Sequence, residues 1–335
     1  MSVPSAMSVP TVSIEPYDPL RGDRVVELWN ASFGVAFPLC ERLWRQNTVD
    51  DPNFDATGAF VAVAADGEFV GFASGKVCRE PIGSYGLQVG TGWLSSIFVR
   101  PGWRRRGVGG ALLARVTGWL AGDGGATLIK AGGDTAHLFP GIPEEDGALA
   151  FFARTGFSLG HRSVDLIGDL AEYHHPRRAE EAFLAFRGLV EFRPAEDGEW
   201  DAVERFFARN FPGRWFYELQ RFRRCRGSVS DVVVAVRDGD IIGAARICTP
   251  ESARISPSVY WLVGSSPRPG GLGPIGVAAD ERKQGIGIAL LSAGLEELRR
   301  RGVVRCGIDW TSLVDFYGKV GFHPWKSYVH AQREL

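Results

Sequence analysis

The sequence predicts a protein of the α/β class (α+β type) with two tandem domains, each a mixed, mostly antiparallel twisted sheet flanked by helices. The chain has 335 residues, which is long for one domain and comfortable for two. Each half contains two hydrophobic runs joined by Asp-Gly, at Asp66-Gly67 and at Asp238-Gly239, which is a strong hairpin signal. Helical patterns alternate with these strands in the same order in both halves, which indicates a duplicated mixed sheet.

The first half is predicted to begin with a strand and two helices before its hairpin. Its elements are strand Thr11–Tyr17, helices Leu20–Phe33 and Pro38–Asn47, hairpin strands 59–65 and 69–77, strand Gly92–Val99, a helix to about Ala121, strand Ala126–Ala131, a helix ending near Thr155 and a closing strand Arg162–Ile167.

The second half is predicted to repeat that order. Its elements are strand Val190–Arg193, helices Glu199–Asn210 and Arg214–Phe222, hairpin strands 232–236 and 241–247, strand Ile275–Val277, a helix to about Arg301, strand Val304–Asp309, helix Leu313–Val320 and a last strand. The domains are therefore expected at 11–170 and 190–335, with a connector at 171–189 and a disordered lead at 1–10. The arginines between 221 and 226 are interpreted as a solvated helix face.

The composition excludes several classes of function. A formal net charge of −1 provides no basic field for nucleic acid. Five scattered cysteines without a C-x-x-C pair predict neither disulfides nor a metal site. No run approaches the roughly 18 apolar residues of a membrane span, and the N-terminus lacks the pattern of a signal peptide. We expect a cytoplasmic protein that binds no metal and no membrane, as a monomer or a homodimer.

One motif occurs in both halves. Val99–Leu113 and Val277–Leu291 each contain a Val, followed five residues later by Arg-x-x-Gly-x-Gly and then by an apolar helix. A strand, a glycine turn and a helix N-terminus form a backbone site for phosphate. Two such sites predict a polyanionic cofactor.

The repeated motif resembles motif A of the GNAT superfamily, the GCN5-related acyl-CoA-dependent N-acyltransferases. Phe316–Phe322, FYGKVGF, resembles the end of the family's motif B, and Phe151–Phe157, FFARTGF, occupies the same place in the first half. The plan resembles tandem GNAT proteins, including some thought to acetylate amino sugars and one encoded with clavulanic acid biosynthesis. The resemblance implies acetyl transfer from acetyl-CoA to a primary amine of a small molecule, in secondary (antibiotic) or amino-sugar metabolism, by direct attack.

The resemblance also implies two coenzyme A sites, each formed by the strand before the turn and by the turn itself. The expected cofactor-binding residues are Ile97, Phe98, Val99, Arg104, Arg105, Arg106, Gly107, Val108, Gly109 and Gly110 in the first half, and Gly276, Val277, Arg282, Lys283, Gln284, Gly285, Ile286, Gly287 and Ile288 in the second.

The catalytic residues are expected in the second half. The resemblance assigns the proton donor to Tyr317, whereas the first half has Phe152, which has no proton to donate. Asp309, at the end of a predicted strand, is the candidate general base. Asp134 and His137 are weaker candidates for the base in the first half, and Asp134, His137 and Trp310 are weak candidates for acceptor contacts. An alternative remains open, in which one half is a non-catalytic acyl-CoA-binding or structural module and the chain is a coenzyme A-binding regulator.

Overall fold

The computed structural model describes residues 12–144, 147–171 and 173–335, so the predicted lead at 1–10 lies outside the described residues. The first half has the expected order of elements. They are β1 (Val12–Pro16), α1 (Gly22–Phe33), α2 (Glu41–Asn47), β2 (Phe54–Ala64), β3 (Phe69–Val77), β4 (Thr91–Val99), α3 (Val108–Ala121), β5 (Leu128–Ala131), β6 (Ile142–Pro143), α4 (Leu149–Arg154) and β7 (Ser158–Asp169).

The second half follows a helical connector. Its elements are α5 (Arg177–Ala185), β8 (Glu191–Pro194), α6 (Trp200–Asn210), α7 (Arg214–Arg224), β9 (Val232–Arg237), β10 (Asp240–Cys248), β11 (Pro269–Val277), α8 (Ile286–Arg300), β12 (Arg305–Thr311), α9 (Val314–Gly318) and β13 (His323–Glu334). β11 begins six residues before the predicted strand, because the glycines of 269–274 lack the side-chain pattern that identifies a strand.

All strands named above except β6 follow one another in a single sheet, in the order β1-β2-β3-β4-β5-β13-β7-β12-β11-β10-β9-β8. The two halves exchange their closing strands. β7 pairs with β12 of the second half, and β13 pairs with β5 of the first half and with β7. The expected mixed, mostly antiparallel architecture is confirmed, with parallel pairs at β4–β5 and β11–β12. The expectation that each half closes its own sheet is wrong, since sequence alternation does not specify the partner of a strand.

Two long helices pack equivalently on this sheet. α3 buries Leu112, Val116 and Leu120, and α8 buries Leu291, Leu295 and Leu298, each set spaced by three or four residues. Both helices follow the glycine turn of the repeated motif, so the packing places the two turns at corresponding positions. Among the helices of the described residues, none combines the length and apolarity that a membrane span needs.

Candidate active site

The second glycine turn has the geometry of an open anion site. Gly285 has a φ of 100° and caps the N-terminus of α8. A Cβ on Gly287 would lie 3.8 Å from its nearest neighbour, whereas one on Gly285 would lie 3.3 Å from the Cβ of Ala182 in α5. Lys283 also has a positive φ, of 64°, and the Arg282 Nε donates to the Val277 carbonyl at 3.0 Å. The arginine therefore holds the turn against the end of β11.

The first glycine turn has the same geometry. Gly107 caps α3 with a φ of 83°, and Arg105 has a φ of 64°. The Arg104 Nε donates to the Val99 carbonyl at 3.0 Å, as in the other half. No atom lies within 4 Å of a Cβ built on Gly107 or Gly110. The two turns therefore share one backbone geometry, and the connector helix α5 approaches the second of them at Gly285.

A cavity of about 970 Å³ opens in the second half, where β11 and β12 separate. Their parallel pairing ends at Gly271 and Gly307. Opposite β10 the register then shifts, from Leu272 to Ile275, as in a β-bulge. The cavity is lined by Gly273–Val277, by Arg282 and Gly287 of the turn, and by Asp309 and Tyr317. The structure thus brings part of the predicted site together at this cavity, whereas five predicted residues do not line it: Lys283, Gln284, Gly285, Ile286 and Ile288. We call it the inner cavity.

Asp309 is suited to accept a proton. Its counterpart in the first half is Gly133, since each lies two residues beyond the paired residues Gly307 and Ala131. Burial and then the nearby Glu218 carboxylate raise the pKa of Asp309 to about 6, against the lowering effects of Arg214 and Arg246. A carboxyl with this pKa is ionised at neutral pH and basic enough for proton transfer.

Tyr317 is suited to hold a proton. Its side chain is buried in the core beside α8 and reaches the wall of the inner cavity. Burial and the Asp309 carboxylate raise the pKa of the phenol above its ordinary value. Tyr317 is therefore protonated at neutral pH. Phe152, its counterpart, is buried against Phe157.

Residues of the first half also reach the inner cavity, where Arg214 of the second half contacts them. Arg214, the first residue of α7, donates to the Gly133 carbonyl at 2.9 Å and to the His137 Nδ1 at 2.8 Å. The same Nδ1 lies 3.1 Å from the Asp134 carbonyl, so it contacts one donor and one acceptor. Burial and Arg214 lower the pKa of His137 to about 3, so the ring is neutral. His137, expected to act in the first half, thus lines the cavity of the second.

Trp310 lies at the centre of this junction. Arg214 lies 4.8 Å above its ring and His137 meets it edge-on at 5.1 Å. Its backbone has a φ of 43° and donates to the Asp165 carboxylate at 2.9 Å. Asp165 belongs to β7, so the strand exchange fixes Trp310 in place. Trp310 lines the inner cavity, as its expected role in acceptor binding requires.

Asp134 has a structural environment. It is buried and pairs with the Lys76 ammonium at 3.0 Å, and it accepts from the Ser95 hydroxyl at 2.8 Å. Burial alone would raise the pKa of Asp134, but Lys76 and His137 lower it below its ordinary value. Lys76 also pairs with Asp51, which pairs in turn with Arg221 of α7 at 3.0 Å. The interpretation of Arg221 as part of a solvated face is wrong, since this side chain is buried in the ion-pair network.

Aromatic side chains fill the first half at the place where the second half has its cavity. Trp261, from the segment between β10 and β11, stacks with Trp29 at 6.1 Å and lies 5.2 Å from Phe139. Phe98 of β4 packs against Trp29 at 5.1 Å. The side chain of Arg42 holds the same segment by donating to the Ser252 carbonyl at 2.6 Å. The second half therefore fills the space beside the first turn with Trp261, while residues of the first half line the inner cavity.

Several residues of the site lacked a sequence signal. Glu218 and Arg214 fall in a helix whose role depends on its docking, and no motif marks them. Trp261 lies in a segment without a predicted element. The Phe-Pro-Gly at 211–213, directly before Arg214, is the nearest available signal, because it repeats the tripeptide at 139–141 of the facing loop. Among the described residues, no group of three or more His, Cys, Asp or Glu is placed to hold a metal ion.

Comparison with known proteins establishes the class. The model of the acetyltransferase (GNAT) family matches residues 23–157 and 199–322, so the chain belongs to this family of acetyltransferases, in tandem form. Mycothiol acetyltransferase of Thermobispora bispora is 28% identical over 284 residues, which are 80% of this chain and 82% of the relative.

Two solved structures show the same fold. One, described as a GCN5-related glucosamine N-acetyltransferase region of a fungal multi-domain GH3 beta-N-acetylglucosaminidase, aligns with a TM-score of 0.84 and 28% identity over 98% of this chain. The chain spans 39% of the length of that protein. The other is a tandem GNAT protein from the clavulanic acid biosynthesis pathway, with a TM-score of 0.64 and 17% identity over 97% of this chain and 98% of that one.

Proposed function

We propose that the protein transfers an acetyl group from acetyl-CoA to a primary amine of a small amino sugar, and that the second half alone carries out the reaction. The inner cavity is the observation that supports this proposal. It joins an open glycine turn, an unpaired edge of β11, a basic carboxylate and a protonated tyrosine. In the first half the turn is also open, but Trp29, Phe98 and Trp261 pack together where the second half has its cavity.

The residues of the second half fit the cofactor. At Gly287 the first turn of α8 has no side chain closer than 3.8 Å to a built Cβ, so its N–H groups suit a diphosphate, while Ala182 of α5 lies against Gly285. Beyond Gly271 the edge of β11 that faces β12 has no strand partner, so its backbone is available to an extended amide chain. When bound, acetyl-CoA supplies an acetyl group activated as a thioester.

The proposed mechanism depends on one proton acceptor and one proton donor. The Asp309 carboxylate accepts the proton of the acceptor ammonium, which leaves a neutral amine able to attack. The Tyr317 hydroxyl holds its proton on the wall of the same cavity, where it can protonate a leaving thiolate. Backbone N–H groups of β11 at the bulge can stabilise negative charge on the acyl oxygen.

An amino sugar is favoured as the acceptor by charge and by similarity. Glu218 and Asp309 line the inner cavity together with Arg214 and Arg282, and Glu218 pairs with Arg214 at 2.6 Å, which leaves the Asp309 carboxylate to attract a protonated amine. The His137 ring and the partly buried Trp310 add a polar group and an aromatic wall, as in a polar small-molecule site. The structural relative described as a glucosamine N-acetyltransferase region points to the same class.

A second candidate role concerns the first half only. Its glycine turn is open, while aromatic side chains fill the space beyond it. This half would be a non-catalytic module that can bind the diphosphate of coenzyme A and that supports the cavity of the other half.

The test is acetyl transfer to a panel of amines, followed by mass spectrometry. The panel contains glucosamine, aminoglycosides, amino acids and a lysine peptide, each with acetyl-CoA. We expect addition of one acetyl group to glucosamine or its glycosides, at rates above those of the lysine peptide. Absence of any product, or a preference for the peptide, would contradict the proposed acceptor class.

A further inference from the structure

A second cavity of about 550 Å³ adjoins the inner cavity and has no role in the reaction described above. Tyr85, Arg214 and Trp310 line both cavities, so these three side chains form the partition between them. The volume lies within the range of roughly 300–1,000 Å³ that is typical of small-ligand sites. We call it the outer cavity.

The partition is held in place from several directions. The backbone N–H of Ser84, next to Tyr85, donates to the Pro212 carbonyl at 2.8 Å. A Cβ on Gly133 would lie 3.3 Å from the Trp310 ring, so this loop approaches the indole closely. The His330 ring stacks on Trp310 at 5.5 Å and on His161 at 4.1 Å. The shared wall is therefore a built feature of the fold.

The chemistry of the outer cavity suits a sugar ring. Trp93, Tyr85 and Trp310 give aromatic surface, against which the C–H face of a pyranose can pack. Lys130 and Gln332, a cross-strand pair of β5 and β13, and Gln88 supply hydrogen-bonding groups. This combination of rings and flexible polar side chains is typical of sites that bind hydroxyl-rich ligands.

The two cavities differ in charge. Two carboxylates, Asp309 and Glu218, and two guanidinium groups, Arg214 and Arg282, line the inner cavity, so its formal charges balance. Over residues 12–144, 147–171 and 173–335, no carboxylate lines the outer cavity, whereas Lys130 and the shared Arg214 do, and Lys130 forms no ion pair there. Burial and His161 lower the pKa of His330 to about 4, so this ring is uncharged at neutral pH. The inner cavity therefore offers carboxylates to a cationic amine, and the outer one suits a neutral or anionic group.

We propose that the outer cavity binds a second sugar ring, neutral or anionic, joined to the amine-bearing ring that occupies the inner cavity. The preferred acceptor is then a glycoside of an amino sugar and not the free monosaccharide. This inference rests on the proposed function and specifies its substrate class.

The test compares three acceptors that share one reacting ring. They are methyl β-glucosaminide, which has no second ring, glucosamine linked through its anomeric carbon to N-acetylglucosamine, and glucosamine linked in the same way to glucuronic acid. We expect kcat/KM of the wild-type protein to be about tenfold higher for both disaccharides than for the methyl glycoside.

Two substitutions outside the inner cavity sharpen the comparison. Lys130→Glu should lower kcat/KM for the glucuronic acid disaccharide at least tenfold more than for the neutral one, with the methyl glycoside unchanged. His161→Ala should reduce the advantage of both disaccharides. His174→Ala, an exposed histidine of the connector, is the matched control and should change none of the three values. Thermal melts followed by circular dichroism check that each variant is folded.

The outcomes separate this inference from the proposed function. Equal kcat/KM values for the three acceptors, or an equal effect of Lys130→Glu on all of them, would overturn the outer subsite while leaving amino-sugar acetylation intact. If no acceptor is acetylated, the proposed function fails. Calorimetric titration of both disaccharides into the wild-type protein and into Lys130→Glu then tests the outer subsite. The subsite is supported if the disaccharides bind and Lys130→Glu weakens binding of the glucuronic acid disaccharide. It is overturned if they do not bind or if the substitution has no such effect.

Discussion

The two halves of this chain share one glycine turn and differ in what lies next to it. Arg104 and Arg282 make the same bond to the end of their strands, and Gly107 and Gly285 cap their helices in the same left-handed conformation. Beyond the turn, the space in the first half is filled by Trp29 and its aromatic neighbours, whereas the second half opens into the inner cavity. A motif that occurs twice in one chain is therefore insufficient to assign activity to both halves.

The difference arises from exchange between the halves. Trp261 of the second half packs into the first, and Arg214 links the inner cavity to His137 of the first. Within the single sheet, β7 pairs with β12 of the second half and β13 pairs with β5 of the first, and Asp165 of β7 fixes Trp310. The first half thus contributes walls and supports to the site of the second. Neither half can be removed without exposing or dismantling a part of the other.

The largest expected effect separates the two turns. Gly287→Asp places a carboxylate in the first turn of α8, where it favours the helix but repels a diphosphate. Two like charges about 4 Å apart cost roughly 4 kcal/mol at an effective dielectric constant of 20, so kcat/KM for acetyl-CoA should fall about a thousandfold. Gly109→Asp is the matched change in α3, and should alter turnover by less than about twofold. Steady-state kinetics on both variants measure this, and equal losses would show that both turns serve the reaction.

A smaller loss is expected from the proton donor. Tyr317→Phe removes one hydroxyl from the inner cavity and should lower kcat about a hundredfold, with little change in the Kd of acetyl-CoA. Tyr173→Phe removes another hydroxyl buried in the same core and is the control. Unchanged turnover in Tyr317→Phe would exclude this tyrosine from the mechanism.

The pH profile tests the carboxylate. Because only ionised Asp309 accepts a proton and its pKa is raised to about 6, kcat/KM for the amine should rise with pH through about 6. Asp309→Asn should remove this limb and lower the rate about tenfold at pH 7. Asp315→Asn, an exposed aspartate of α9, should keep both the limb and the rate. A limb that persists in Asp309→Asn belongs to another group.

The smallest effect concerns the neighbour of that carboxylate. Glu218→Gln removes a negative charge that raises the pKa of Asp309, although burial is the larger cause. The Arg214 guanidinium, which now pairs with Glu218, would then act more strongly on Asp309 in the same direction. The midpoint of the acid limb should therefore move to lower pH, with the plateau rate within about threefold of the wild type. A midpoint displaced to higher pH would be inconsistent with this arrangement.

The duplicated plan could be predicted from sequence because its signals are local. Asp66-Gly67 and Asp238-Gly239 do join the hairpins, and the motif places its helices correctly. The first part of β11 was not predicted, because a strand is recognised in sequence by its side chains and glycines have none. The exchange of β7 and β13 and the role of Trp261 depend on pairing between residues distant in sequence, which no local pattern specifies.

The residues of the site could be predicted only where the sequence motifs identified them. Tyr317 and Asp309 meet in one cavity with the second turn, as the sequence argument required. His137 was assigned to its own half because only its neighbours in sequence were visible, yet it lines the cavity of the other half. Arg221 was placed on a solvated face because its partner, Asp51, lies 170 residues away along the chain.

The claim that the second half alone is catalytic can be tested most directly with a bisubstrate analogue. Coenzyme A joined through an acetyl linker to the nitrogen of glucosamine would be bound to the full-length protein and its position determined by crystallography. The account predicts the linker between β11 and β12 of the second half, with the amide beside Asp309 and Tyr317. An amide seated between β4 and β5 of the first half, with Trp261 displaced, would contradict it.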